Sequence, residues 1–306
     1  MQNICIYKKK AVNLRRNTMC CCSEIRCAMR KYVFTVLLAA VVSAFGSAFD
    51  SSFAPLMAGT NLQLYYDFGS LGTACKNTRS NRVTTTLELF YPDNWGSTFM
   101  FVDLDYNIHP NDPKNTPFMA YMEVARCLNF WQKTKAKDLS VQVEYNGGLG
   151  LYSAGESIGG YAINHAALVG LNYCLHTADY KNIFNLELLF KYVVDDLNMW
   201  RVKDAEGVWH NQAGNVVPLQ FTFVWGCDDF CTAPGLRFSG FLDIWGQKLA
   251  DGQSFVLISE PQLWYNVGRW FKCPNLNIGT EIEFSYNFTG KGFMCNPCLG
   301  IKWTFD

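Results

Sequence analysis

From Thr60 to Phe305 the chain alternates apolar and polar residues in about twelve separate segments. The clearest runs from Leu276 to Tyr286. Its even positions hold Leu276, Ile278, Thr280, Ile282, Phe284 and Tyr286, and its odd ones Asn277, Gly279, Glu281, Glu283 and Ser285. The same split separates Leu139, Val141, Val143 and Tyr145 from Ser140, Gln142, Glu144 and Asn146. It also separates Phe184, Leu186, Leu188 and Phe190 from Asn185, Glu187 and Lys191. A period of two belongs to strands, because a helix would spread each set around its whole circumference. An even number of two-faced strands predicts an all-β fold: a membrane-spanning antiparallel up-and-down β-barrel of about 12 strands, apolar outside and polar within.

The pattern places the strands at 60–68, 82–91, 97–107, 117–131, 138–152, 162–177, 182–195, 216–226, 235–245, 254–267, 276–288 and 297–305. An even count leaves both termini at one end, the periplasmic one in an outer-membrane barrel. The connection around Pro92–Gly96 reads as a tight turn, whereas 69–81, 109–116 and 196–215 read as longer loops of the opposite end. Two turns on the terminal side, 227–234 and 268–275, are longer than such barrels usually carry. Asn146-Gly147-Gly148-Leu149-Gly150 lies inside a strand pattern, so its glycines mark close backbone approach or a bend rather than a phosphate loop.

Composition adds little until the N-terminus is set aside. The 306 residues carry 26 basic and 26 acidic side chains, 49% apolar residues and 15% aromatic ones, nine of them Trp. The aromatic content suits the girdles of a membrane barrel. Arg30-Lys31, the apolar run Tyr32–Ala44 and then Gly46-Ser47-Ala48 resemble a secretory signal peptide spanning 29–48, with Phe49 as the first mature residue. Residues 1–28, with Cys20-Cys21-Cys22 and two basic clusters, read as an over-extended start upstream of Met29. Residues 1–48 hold eight Lys/Arg and one acid, so the remainder has a net charge of −7. With no basic patch left, no nucleic-acid partner is expected. The expected setting is the outer membrane of a Gram-negative bacterium, in contact with its lipid.

Placing apolar residues toward lipid assigns the opposite parity to the lumen. That parity carries Asp67, Glu88, Asp103, Asp105, Glu123, Glu144, Glu187, Asp243, Glu260, Glu281 and Glu283, with Lys191, Arg237 and Lys302 as basic partners. Tyr65, Phe90, Tyr121, Phe241 and Trp245 share it. Twelve strands enclose a bore between that of a filled eight-stranded barrel and an open porin, so the expectation is a narrow pore for small solutes. Its carboxylates would disfavour anions, and its rings would favour flat solutes or else fill the bore.

Val83–Tyr91, the following turn, Phe99–Tyr106 and Met122–Arg126 resemble the nucleoside-specific channel-forming outer-membrane porin family (Tsx-like). Phe238–Asp243 is similar to that family's late-barrel motif. The resemblance implies a monomeric twelve-stranded barrel passing neutral solutes such as nucleosides by passive diffusion, with aromatic and ionisable residues along the path. The chain departs from the family in keeping eight cysteines beyond residue 48: Cys75, Cys127, Cys174, Cys227, Cys231, Cys273, Cys295 and Cys298.

In an exported chain those cysteines form local bridges, such as 227 to 231 or 295 to 298, or stay as thiols. The topology puts the two close pairs at opposite barrel ends, so no metal site is expected. His109, His165, His176 and His210 stand in loops or at strand ends without a Gly-x-Ser-x-Gly motif, so no catalytic residue is assigned and no cofactor is implied. Alternative readings are a closed barrel with a structural or surface-binding role, an outer-membrane lipid hydrolase, or a soluble ligand-binding barrel.

Overall fold

The computed structural model describes residues 59–71, 81–108, 117–154, 157–193, 201–203, 209–211, 219–249, 252–288 and 292–305. The proposed extension 1–28, signal peptide 29–48, mature start at Phe49, Cys75, His109 and most of 196–215 lie outside them.

The strands are β1 (Thr60–Asp67), β2 (Arg82–Asp93), β3 (Gly96–Tyr106), β4 (Pro117–Leu128), β5 (Leu139–Ala154), β6 (Ser157–His176), β7 (Asn182–Val193), β8 (Arg201–Lys203), β9 (Trp209–Asn211), β10 (Leu219–Asp228), β11 (Leu236–Leu249), β12 (Gly252–Ser259), β13 (Gln262–Tyr265), β14 (Leu276–Tyr286) and β15 (Phe293–Phe305). β8 and β9 form a small hairpin of their own. All other strands pair antiparallel with their chain neighbours. The ring closes where Thr60 to Asp67 of β1 lie opposite Phe305 to Cys298 of β15. β12 and β13 are one strand broken at Glu260-Pro261, and both segments pair with β11. The result is a closed antiparallel barrel of twelve strands, as the alternation predicts.

Burial is inverted relative to a soluble domain. Gln63, Gln142 and Gln220 are 1%, 2% and 1% exposed, while their neighbours Leu64, Val143 and Phe221 are 48%, 48% and 42% exposed. The apolar band continues through Leu171, Leu188, Phe190, Ile278, Leu299 and Ile301. Water would not tolerate such a belt, and a bilayer requires it. No helix among the described residues is long and apolar enough to cross a membrane, so any crossing falls to the strands.

Local chemistry sets the connections. Asp93 and Gly96 face each other across a two-residue turn. The Asp93 carboxylate accepts the N–H groups of Trp95 (2.7 Å) and Gly96 (3.0 Å) and pairs with Arg126 across β3. Gly96 has φ 148°, and a Cβ there would lie 2.1 Å from the Cys127 carbonyl oxygen, so only glycine fits. The glycine cluster of β5 brings backbones together as expected: a Cβ on Gly148 would lie 2.2 Å from the Ala120 carbonyl oxygen.

Two irregularities depart from strict alternation. Asn146 pairs with Ala166 but Gly148 with Ile163, so β6 carries an extra residue and bulges. Ala166 and Asn172 face inward on even positions below the bulge, and Tyr161 and Ile163 face inward on odd positions above it. The second irregularity is the break at Glu260-Pro261. There Pro261 has no N–H for the ladder, and Gly240 opposite leaves room for the Glu260 carbonyl oxygen, 2.5 Å from where a Cβ would stand.

Candidate functional site: the barrel lumen

The strands enclose a cavity of about 1180 Å³. Its lining reaches both ends of the barrel: Phe90, Asp228, Arg237 and Thr304 at the terminal end, and Asn81, Asn107, Tyr161 and Phe288 at the other. Tyr65, Glu88, Phe90, Asp103, Asp105, Tyr121, Glu123, Glu144, Glu187, Lys191, Arg237, Phe241, Asp243, Glu281 and Glu283 all line it. Asp67 differs. It is fully buried beside the cavity, where one carboxylate oxygen accepts the Gly69 N–H (2.7 Å) and the other lies 3.6 Å from Arg82 Nε. It anchors the end of β1 rather than facing the open space.

Hydrogen-bonded groups organise the lining along its length. Toward the terminal end, Asn61 donates to Glu88 (3.0 Å), and the single Tyr65 hydroxyl hydrogen has Gln63 and Glu281 (3.2 Å) as its two acceptors. Gln262 also donates to Glu281 (2.6 Å), and Trp264 Nε1 donates to Gln262 (2.9 Å). Lys302 Nζ sits 4.2 Å from the Trp264 ring centre. At the waist, the Tyr121 hydroxyl donates to Glu123 (2.7 Å). Gln142 donates to Glu144 (2.8 Å) and Glu187 (2.7 Å), and Asn172 to Glu187 (2.9 Å). Along the adjoining wall of β7, β10 and β11, Lys191 donates to Gln220 (2.7 Å), Gln220 to Thr222 (3.0 Å) and Thr222 to Asp243 (2.6 Å). Toward the far end Arg82 is ion-paired with Asp105, and Ser285 and Asn296 both donate to Glu283 (3.0 Å each).

Amides and hydroxyls donate to many of these carboxylates, which braces the interior without neutralising it. Among cavity-lining side chains, Arg82, Lys191, Arg237 and Lys302 are outnumbered by the acids. Arg82, Asn61, Gln63, Gln142, Asn172, Gln220, Thr222 and Trp264 were not singled out from sequence, although each shares the parity of a named acid or of the cross-strand residue it bonds. Reading every inward position, rather than the ionisable and aromatic ones alone, would have found them.

The remaining chemical candidates lie elsewhere. His165 is on the outer face at the bulge, where Nδ1 and the Tyr145 hydroxyl are 2.5 Å apart. His176 stacks on Tyr180 at 4.0 Å and lies 3.4 Å from Asp138. His210 lies in β9, and its side chain is outside the described residues. No two of the described cysteines are joined in a disulfide. Cys295 and Cys298, three apart in one strand, face opposite sides and cannot bridge. No group of His, Cys, Asp and Glu among the described residues is arranged to hold a metal ion.

An apolar belt around a polar, acid-rich bore defines a membrane-type β-barrel. By sequence, residues 59–305 match the family described as "Domain of unknown function (DUF5020)", and the chain belongs to that family. No curated protein matches the chain in sequence. Among solved structures it is similar to the NanC porin (10% identity, 81% of this chain and 99% of that one, TM-score 0.45). It is also similar to outer membrane phospholipase A from Escherichia coli (12% identity, 83% and 96%, TM-score 0.42). A third is a BenF-like porin from Pseudomonas fluorescens (9% identity, 80% and 98%, TM-score 0.35).

Proposed function

We propose that the chain is a passive channel for small solutes, nucleosides among them, in the outer membrane of a Gram-negative bacterium. The observation that carries this reading is one polar cavity lined from both barrel ends inside a shell whose outer face is apolar. The shell partitions into lipid because each exposed Leu, Val or Phe gains from leaving water. The lumen stays wet because Asn, Gln, Thr and carboxylate groups line it. A solute crosses by exchanging water for these hydrogen-bonding groups and for the faces of Tyr121, Phe241 and Trp245. Diffusion down a gradient needs no catalytic residue and no cofactor.

The acids tilt the path against anions, since an entering negative charge meets carboxylates at every level. The nucleoside assignment is supported by the resemblance of Val83–Tyr91, Phe99–Tyr106 and Phe238–Asp243 to the nucleoside channels and by the aromatic lining. Bases offer flat faces to the rings, and sugars offer hydroxyls to the amides. The monomer implied by that resemblance is part of the proposal.

Swelling of liposomes carrying the inserted barrel tests both levels. Thymidine and adenosine are expected to enter faster than sugars and amino acids of similar mass. Equal entry would remove the nucleoside preference and leave a general pore. No swelling with any solute would overturn the channel.

A further inference from the structure

At the terminal end the outer face of β4 turns polar. Arg126, on the outward parity of that strand, pairs with Asp93 of the neighbouring turn at 2.8 Å. The connection that follows, 129–138, is a fixed turn. Asn129 donates to the Lys137 carbonyl and accepts the Trp131 N–H (3.0 Å), and the Thr134 hydroxyl donates to the Trp131 carbonyl (2.8 Å). It is also fastened to the β2–β3 turn. The Asn129 N–H donates to the Trp95 carbonyl (2.7 Å), and the Gln132 amide to that of Asn94 (2.7 Å). The two turns therefore make one surface.

That surface is aromatic and cationic. Trp95 and Phe130 are 65% and 60% exposed, and Phe130 stands edge-on to Trp131. Lys133, Lys135 and Lys137 are all exposed. The described ion pairs of this end, Arg126 with Asp93, Lys181 with Asp229 and Arg237 with Asp228, engage none of the three. Asp138, the one acid of 129–138, lies 3.4 Å from His176. The same composition returns across the rim. Arg269, Trp270, Phe271 and Lys272 follow one another, all exposed, in the connection leading to β14, five strand positions from β4.

Indole and phenyl rings leave water readily, and indoles favour the boundary between lipid and water. Rings by themselves ask for no charge, whereas three lysines within five residues attract anions. A partner that meets patches on two sides of the rim is broad and flat, as a lipid leaflet is and a bound peptide is not. We propose that this rim is a binding surface for anionic phospholipid of the leaflet it faces. Lys133, Lys135 and Lys137 donate to headgroup phosphate oxygens, while Trp95, Phe130 and Trp131 enter the acyl boundary. The inference rests on the membrane placement above, in which that leaflet is the periplasmic one, and not on the channel.

The test offers the full chain in detergent equimolar phosphatidylglycerol and phosphatidylcholine of one acyl length and counts retained lipid by native mass spectrometry. Phosphatidylglycerol is expected to be retained about tenfold over phosphatidylcholine. Changing all three lysines, Lys133→Gln, Lys135→Gln and Lys137→Gln, is expected to lower that preference about fivefold, and changing all three to Arg to keep it. Lys181→Gln removes an ammonium already paired with Asp229 and is expected to leave the preference unchanged. Trp95→Ala is expected to lower retention of both lipids together. Heat-modifiable gel mobility confirms that each variant is folded. Equal retention of the two lipids by the unaltered chain would overturn the surface and turn the lysines toward a soluble acidic partner. A preference untouched by the three Gln changes would overturn it as well. A chain that fails to float with lipid vesicles would sink the membrane placement and the surface with it, whereas floating without preference would sink the surface alone.

Discussion

At the scale of single residues, the governing contrast is between neighbours such as Leu188, 55% exposed, and Leu189, fully buried, on the two faces of β7. Successive residues meet lipid and lumen in turn, so the cost of a charge depends on parity more than on residue type. Leu188→Arg puts a guanidinium into the apolar belt and is expected to cost about 2–4 kcal/mol if that position lies near the bilayer midplane. Urea titration of folding into lipid vesicles measures it, and an unchanged midpoint would argue that this face does not meet lipid. The same parity made the acids of the lining legible in the sequence, because a charge has only one tolerable side once a barrel is granted. The amides that brace them were less legible: Gln142 and Gln220 can sit on either side of a soluble sheet, and only their burial in the bore shows their part.

At the scale of elements, the sequence placed each of the twelve strands within a few residues, and the departures have identifiable causes. A bulge opposite Gly147 re-phases β6, so the residues before it invert the parity that the second half of the strand obeys. No residue type announces such an insertion, since Asn164 and His165 are ordinary strand and loop residues. Pro261 does announce a break, yet the apolar run on either side reads as continuous. The long turns of the terminal end are tied side to side: Lys181 Nζ and Asp229 are 2.8 Å apart, and Asp229 also accepts the Gly235 N–H at 2.8 Å. The Lys181 ammonium, aided by that N–H, holds the Asp229 carboxyl below the usual carboxylate range, and Asp229 in turn raises Lys181. A carboxyl depressed by folding contributes stability above its unfolded value, near 4, and loses it as pH falls through the depressed value. Protection of the Gly235 amide from hydrogen exchange is therefore expected to drop on acidification below that range. In Asp229→Asn the drop should disappear, and an unchanged acid dependence would place its origin elsewhere.

At the scale of the whole molecule, the surplus of carboxylates acts as one field rather than as separate sites. In a tenfold gradient of potassium chloride the open barrel is expected to show a reversal potential of the sign set by cation flow. A potential near zero would mean that the lining acids do not face the permeating ions. The cavity's existence was legible from strand number and parity, whereas its cross-bracing depends on shear and rotamers that no periodicity encodes. The seam between β1 and β15 bears on the order of assembly. It joins Thr60 to Phe305, the two most distant described partners in the chain. Every other strand pairing of the barrel joins strands that follow one another in the chain, so closure carries the largest loop-entropy cost and belongs late on the folding path. Until it forms, β1 and β15 present open edges that any extended peptide could occupy. A ring of this kind is therefore most vulnerable to its neighbours in the moments before it becomes a ring.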